Sequence, residues 1–200
     1  MEEKIEKTIE ALKKHKFNAV YAKDRHEAKE KIMELVPRDA AVAVPGSASV
    51  RATGAVEALK EKGHEVFDHW SDPSPLVRKK QLTADAILLS ANALAMTGQI
   101  VNMDGIGNRV APSIFGPARV IFVVGKNKIT ADLESARERI HKIAAPRRAL
   151  ELKLKVPCAE TGECTDCNSP LRICRAEVIL HRPPSLTHTT VIVVDEELGD

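Results

Sequence analysis

Apolar residues recur along this chain with two alternating periods, one close to that of a helix and one of short continuous runs. Ile5, Ile9 and Leu12 stand at helical spacing among charged neighbours, which predicts an amphipathic first helix packed by a narrow stripe. Asn18 to Ala22 reads as a short strand. Ala28, Ile32 and Leu35 mark a second helix that must end before Pro37, because proline bars helical geometry at the residue before it. Ala41 to Val44 is the next strand. It runs into the turn Pro45-Gly46-Ser47-Ala48-Ser49 and a helix carrying Val50, Gly54, Ala58 and Leu59 on one face, stopping near Gly63. His64 to Asp68 reads as a strand, Ser74-Pro75 as a capped helix start leading to Leu82, and Ala86 to Ser90 as a buried strand. Asn108 to Phe115 predicts a short helical segment, and Arg119 to Val124 is the most strand-like run. Thr130 or Asp132 caps a helix with Leu133, Ala136, Ile140 and Ile143 on one side, closed by Pro146, and Val191 to Val194 is a last strand.

Strands alternating with helices predict an α/β fold: a mainly parallel sheet flanked by helices, with a small cysteine-rich loop. The expected division is an N-terminal helical region with a short strand over residues 1–38, followed by an α/β domain over 39–200 with the cysteine segment at 156–176. In open sheets of this kind ligands sit beyond the carboxyl ends of the strands. Gly46 and the hydroxyls of Ser47 and Ser49 are therefore expected to cap a helix or to help hold an anion.

Thr97 to Arg109 is the second candidate stretch. Three glycines allow backbone to approach a ligand, and Asn102, Asp104, Asn108 and Arg109 supply donors, acceptors and a fixed positive charge. Thr97, Gly98, Asn102, Asn108 and Arg109 are expected to close a small-molecule pocket, unless the stretch is simply a loop closing a hairpin. Nucleotide motifs fail here: Gly105-Ile106-Gly107 is followed by Val110 where a dinucleotide fingerprint needs glycine, and no GxxxxGK[ST] occurs. Lys126 and Lys128, directly after a strand, face an anionic ligand or are merely solvated.

Composition narrows the function classes. Thirty basic and 28 acidic residues give a formal charge of +2, and aromatics make up 3%. Neither a nucleic-acid footprint nor a stacking platform for single strands is implied. No apolar stretch reaches the roughly 18 to 20 residues needed to span a bilayer, and the N-terminus lacks a basic segment followed by an apolar run. A cytoplasmic protein is the expectation.

All four cysteines fall between Cys158 and Cys174, spaced C-x5-C-x2-C-x6-C. A secreted disulfide framework would spread them, whereas clustering on a turn-rich segment lets Cys158, Cys164, Cys167 and Cys174 converge on metal. The spacing matches neither a ferredoxin run nor a zinc ribbon, so zinc and an iron–sulfur cluster both remain open beside reduced structural thiols. Four filled protein positions would leave zinc no open site, which disfavours a zinc hydrolase.

Together these pieces resemble the LUD, or lactate utilization, domain family. The resemblance rests on Pro45-Gly46-Ser47-Ala48-Ser49, Ala84-Asp85-Ala86 followed by Thr97-Gly98-Gln99-Ile100, and Gly107-Asn108-Arg109-Val110-Ala111. It extends to Phe115-Gly116-Pro117, to Val123-Val124-Gly125-Lys126-Asn127-Lys128-Ile129, and to the cysteine segment of one branch. It implies a fold similar to the sugar-phosphate isomerase and CoA-transferase group, and an association with lactate-related metabolism in which some relatives accompany iron–sulfur oxidoreductases. No glutamate stands in the central stretch or beside Gly46 and Ser47 to act as a CoA-transferase nucleophile, and Glu57 reads as a surface residue. The expected function is thus binding of a small anionic metabolite by Gly46, Ser47, Ser49, Thr97, Gly98, Asn102, Asn108, Arg109 and Lys126, in support of an oxidation system. Two alternatives stand beside it. One is a stand-alone isomerase or CoA-transferase-like enzyme with Asp85, Asp104 or His64 as base, and the other a thiol or metal redox sensor.

Overall fold

The computed structural model describes residues 1–199. Its framework is a parallel sheet of β1 (Asn18–Ala22), β2 (Val42–Val44), β3 (Val66–Asp68), β4 (Ala86–Leu89), β7 (Arg119–Gly125) and β10 (His188–Val194), in the order β1-β10-β7-β4-β2-β3. Residues alternate between two cores as the pleat requires: Val120, Phe122 and Val124 of β7 face one side, Ile121 and Val123 the other. The first side is covered by α1 (Glu3–Lys14) through Ile5, Ile9 and Leu12. The second is covered by α2 (Arg25–Leu35), α3 (Ala48–Ala52) and α4 (Ala55–Glu61). The N-terminal segment supplies an edge of this sheet, since Asn18 to Ala22 pair in register with Thr190 to Val194.

Most strands and helices lie where the hydrophobic pattern predicts them, and three differences follow from local chemistry. The helix expected over Val50 to Leu59 is two helices, because Gly54 adopts a left-handed backbone (φ 72°) and interrupts the ladder between α3 and α4. The expected closure at Pro146 does not occur. α7 (Leu133–Arg139) runs through a π turn at Ile140–Ala144 into α8 (Ala145–Glu151), where Pro146 occupies the first turn, the position at which a missing N–H costs least.

The third difference is the central stretch. Thr97 to Arg109 is not a single loop: Ile100–Asp104 forms strand β6, paired with β5 (Ala93–Ala95) on one side and β9 (Ala176–Leu180) on the other. With β8 (Ile129–Thr130) these make a second sheet, β8-β5-β6-β9, carried on the α1 face through Leu94, Ile100 and Leu180. Strands this short, with Asn102 and Asp104 inside one of them, carry too little periodicity to be read from sequence. The remaining helices are α5 (Pro75–Lys80), α6 (Val110–Ile114) and α9 (Pro157–Thr161). None of the helices described is long and apolar enough to cross a membrane.

Candidate functional site

From β2 the chain moves outward to β3 and then back across to β4, so the winding direction reverses between β2 and β4. Loops leaving the carboxyl ends of two such strands diverge, and the gap between them is where open α/β sheets bind ligands. A cleft opens there. It has two contiguous lobes that share Gly46, Trp70, Asn92, Arg109, Ala144 and Arg148. The walls are the segments after β2 (Gly46, Ser47), after β3 (His69, Trp70), after β4 (Ser90, Asn92) and after β7 (Lys128), closed by α8.

Gly46 is dictated by both backbone and space. Its φ is 79°, and a Cβ there would lie 2.6 Å from Trp70 Nε1 and 2.9 Å from His69 Cε1. Ser47 caps α3, its hydroxyl accepting from the Val50 amide at 3.2 Å. Ser49 is fully buried. Its hydroxyl donates to Leu198 O and accepts from Lys128 Nζ at 3.0 Å, and Lys128 also reaches Ser90 Oγ at 3.4 Å.

Arg109 lies at the junction of the two lobes. Asp104 places it: this carboxylate accepts backbone N–H groups from Ile106, Gly107, Arg109 and Val110, which fixes the turn that leads into α6. Because the carboxylate is committed to amides, the guanidinium is turned instead to neutral oxygens. Nη2 donates to Asn102 Oδ1 at 2.8 Å and more weakly to Ser90 O and Asn92 Oδ1 at 3.4 Å, and the buried Nε has no partner. Burial lowers the Arg109 pKa, with Asp104 opposing and Arg148 adding to the shift, yet a guanidinium stays charged at any ordinary pH. Asn102 thus serves the arginine, and Asn108 Nδ2 approaches Gln81 Oε1 and His69 Nδ1 at 3.3 and 3.4 Å.

The lining carries three cations, Arg109, Lys128 and Arg148, against two carboxylates. Asp104 is spent on amides, and Glu151 pairs with Arg148 at 2.7 Å. Among the described lining residues the cations thus outnumber the carboxylates. His69 adds a neutral donor and acceptor: burial, then the charges of Arg78, Arg109 and Arg148, push its pKa below the usual histidine range in spite of Asp68. Trp70 has cationic neighbours in Arg51 and Arg148, whose guanidinium carbons stand 4.7 and 5.1 Å from its ring centroid. Asp68 organises this turn, taking the Trp70 amide at 3.0 Å, Ser71 Oγ at 2.7 Å and Arg51 in an ion pair.

Several expected residues are placed elsewhere. Thr97 and Gly98 form the β5–β6 hairpin turn, where His15 Nδ1 lies 3.1 Å from Gly98 O against α1, away from the cleft lining. Lys126 is held by Asp195 at 2.9 Å and Glu2 at 2.6 Å on the surface, which raises its pKa, and it is Lys128 that turns inward. Asp85 and His64 precede β4 and β3, so they sit at the opposite end of the sheet, bound to Ala41 N (2.8 Å) and Ala40 O (2.9 Å). Sequence reasoning missed His69, Trp70, Ser90, Asn92 and Arg148. The first four follow directly after strands, and the carboxyl-end rule applied to every strand would have found them.

The cysteines form a second locus beside the first. Cys158, Cys164, Cys167 and Cys174 all line one small cavity with Ala145 and Arg172, and none is in a disulfide. Burial, and then the other three thiols, raise the Cys158 pKa, a sign of their mutual proximity. Cys164 Sγ also lies 3.4 Å from His141 Nδ1 in the π turn. Four thiols around one cavity are a donor set suited to a thiophilic metal. Among the described residues, however, no three His, Cys, Asp or Glu side chains already stand as a coordination sphere.

Fold and cleft define an open parallel α/β protein with a ligand crevice at its strand-order reversal. The LUD domain family profile matches residues 5–194, and the chain belongs to that family. A DUF162 family protein from Deinococcus radiodurans, known from its crystal structure, is similar with a TM-score of 0.58 at 17% identity over 96% of each chain, a likeness of fold. No curated protein matches the sequence.

Proposed function

We propose that the crevice between β2 and β4 binds a small anionic metabolite, a carboxylate of the lactate or pyruvate kind, and that the protein serves a lactate-utilization-type oxidation system. One observation carries this reading: Arg109, at the junction of the two lobes, presents its charge to neutral oxygens and keeps a buried Nε without a partner. A carboxylate accepting two parallel hydrogen bonds satisfies that fork, while Lys128 and the Ser47 turn add donors. Family membership supports the metabolic context, in which an iron–sulfur oxidoreductase subunit would be the partner that carries electrons.

Trp70, the one tryptophan of the chain, stands in the lining and reports on occupancy. Titration with pyruvate and with lactate is expected to change its fluorescence saturably. Arg109→Lys should weaken the binding about tenfold or more, corresponding to about 1.5–3 kcal/mol for a charge-assisted hydrogen bond. Equal affinity in wild type and Arg109→Lys would remove the reading. The stand-alone enzyme alternative now has a different base. Among the cleft residues His69 is the imidazole kept neutral by burial, and turnover by the isolated protein that His69→Gln abolishes would favour that alternative.

A further inference from the structure

The cysteine cavity and the crevice are separated by a single layer of residues. Ala145, Ile173 and Cys174 line both the cysteine cavity and the larger lobe of the crevice. The cysteine segment is also tied to the turn that places Arg109. Arg175 N donates to Asp104 O at 3.0 Å, and Gly105 lies so close to Ile173 that a Cβ on it would stand 2.9 Å from Ile173 Cα. Cys174 is therefore next to a residue bonded to Asp104, and Asp104 holds the Arg109 amide at 2.9 Å.

The segment itself is assembled by arginines rather than by a core. Arg172 donates to Cys167 O at 2.6 Å, Cys174 O at 3.1 Å, Cys174 Sγ at 3.3 Å and Asp166 Oδ1 at 2.9 Å. Arg175 donates to Pro170 O at 2.6 Å and Arg172 O at 3.1 Å. These bonds fold the chain so that thiols separated by up to sixteen positions face one another across apolar walls, Ala145, Ala149, Val156 and Ile173. Such walls exclude water and favour thiolate–metal bonds over solvation.

We infer that Cys158, Cys164, Cys167 and Cys174 form a thiolate metal centre whose Cys174 ligand is also a wall of the anion crevice, so that filling either site alters the other. Each thiol releases its proton to solvent as its sulfur bonds the metal. The four side chains are gathered by the ion, which draws in the 158–174 segment and, through Arg175 and Ile173, braces the Asp104 turn. Arg172 at Cys174 and His141 at Cys164 stand where they donate to thiolate sulfur, the outer contacts that tune a bound metal. The metal centre stands independently of the anion reading, and the coupling rests on it.

The test uses the full chain, purified without oxygen, reduced and freed of metal, with Co²⁺ as probe. The expected result is an intense thiolate-to-cobalt absorption with tetrahedral visible bands, saturating at about one ion per chain and displaced by Zn²⁺. All four cysteines should become protected together from N-ethylmaleimide, read by mass spectrometry on the wild-type chain, which needs no variant to fold. Cys174→Ser should weaken cobalt binding about tenfold or more and shift the absorption. Iron and acid-labile sulfide on the same cysteines in protein as isolated would support the centre and identify its occupant as a cluster. Pyruvate is expected to perturb the cobalt spectrum, and loading to change pyruvate affinity several-fold. Absent stoichiometric cobalt binding, with all thiols alkylated at unchanged rates, overturns the centre. Cobalt binding with no effect of pyruvate, in a protein that Trp70 shows to bind pyruvate, overturns the coupling. Failure of pyruvate to bind at all would leave the cobalt result standing and count against the crevice reading instead.

Discussion

Arg109, Gly46 and Asp68 show how much of the crevice is decided by single side chains. Gly46 takes a left-handed backbone that costs an L-residue about 1–2 kcal/mol, and its missing Cβ makes room for Trp70. Gly46→Ala is therefore expected to lower stability by at least that amount and to disturb Trp70 fluorescence, measurable by urea unfolding. Asp68 is buried in its ion pair with Arg51, whose side chain is 26% exposed. Burial raises its pKa, but Ser71, Arg51 and the Trp70 amide together outweigh that and hold it below the usual range. Asp68→Asn should cost on the order of 2–3 kcal/mol, less than a fully buried pair would.

Acid sensitivity belongs to the same scale and has a definite sign. His69 is lowered in the folded state from about 6.5, so the unfolded chain binds more protons in the window just below that value. Its contribution is present above pH 6.5 and lost as pH falls toward the folded pKa. Asp68 acts lower, its stabilisation being lost only below the usual aspartate range. Unfolding midpoints compared at pH 8 and 5.5 should drop less in His69→Gln than in wild type, and an equal drop would show that His69 is not the group titrating.

At the scale of elements, the helix spanning α7 and α8 decides what the crevice sees. Its π turn, with Ala145 N–H bonded to Ile140 O, adds a residue to one turn and so rotates everything beyond it by about 100° relative to an uninterrupted α-helix. That rotation puts Arg148 over Trp70 and Ala145 in the wall shared with the cysteines, while His141, within the turn itself, stands beside Cys164. Pro146 favours it, since proline cannot supply the amide a regular helix would need there. Pro146→Ala is expected to let a regular helix compete, weakening pyruvate binding several-fold with little loss of stability. Unchanged affinity would mean that Arg148 is held by Trp70 and Glu151 alone. The same rotation explains why Arg148 was illegible in sequence, where Pro146 reads as an end. The second sheet was hidden for another reason. β5, β6 and β9 are three to five residues long and β6 carries Asn102 and Asp104 in a buried position, a choice imposed by Arg109 and the turn rather than by strand propensity.

At the scale of the molecule, the parallel sheet was legible because its strands are buried on both faces and so appear as continuous apolar runs, Ala86 to Ser90 and Arg119 to Val124 above all. The strand order was not. Only the order reveals that β2 and β4 flank the reversal, and with it that Pro45-Gly46-Ser47 and Ser90-Ala91-Asn92 open on one crevice. Gly46 and Ser47, chosen from the first of those turns, and Asn108 and Arg109 come together there. Those chosen by proximity in sequence, Thr97, Gly98 and Lys126, do not, because a hairpin turn and a surface ion pair claim them. The cysteines illustrate the converse: spacing brought out their clustering, while their neighbour across the wall is visible only in three dimensions.

The most direct measurement is the position of pyruvate in crystals of the protein soaked with it. Its carboxylate is expected in the β2/β4 crevice, within hydrogen-bonding distance of the Arg109 guanidinium and close to Lys128 and the Ser47 turn. Pyruvate found only at another place, such as the opposite sheet edge beside His64 and Asp85, with the crevice holding solvent alone, would contradict it.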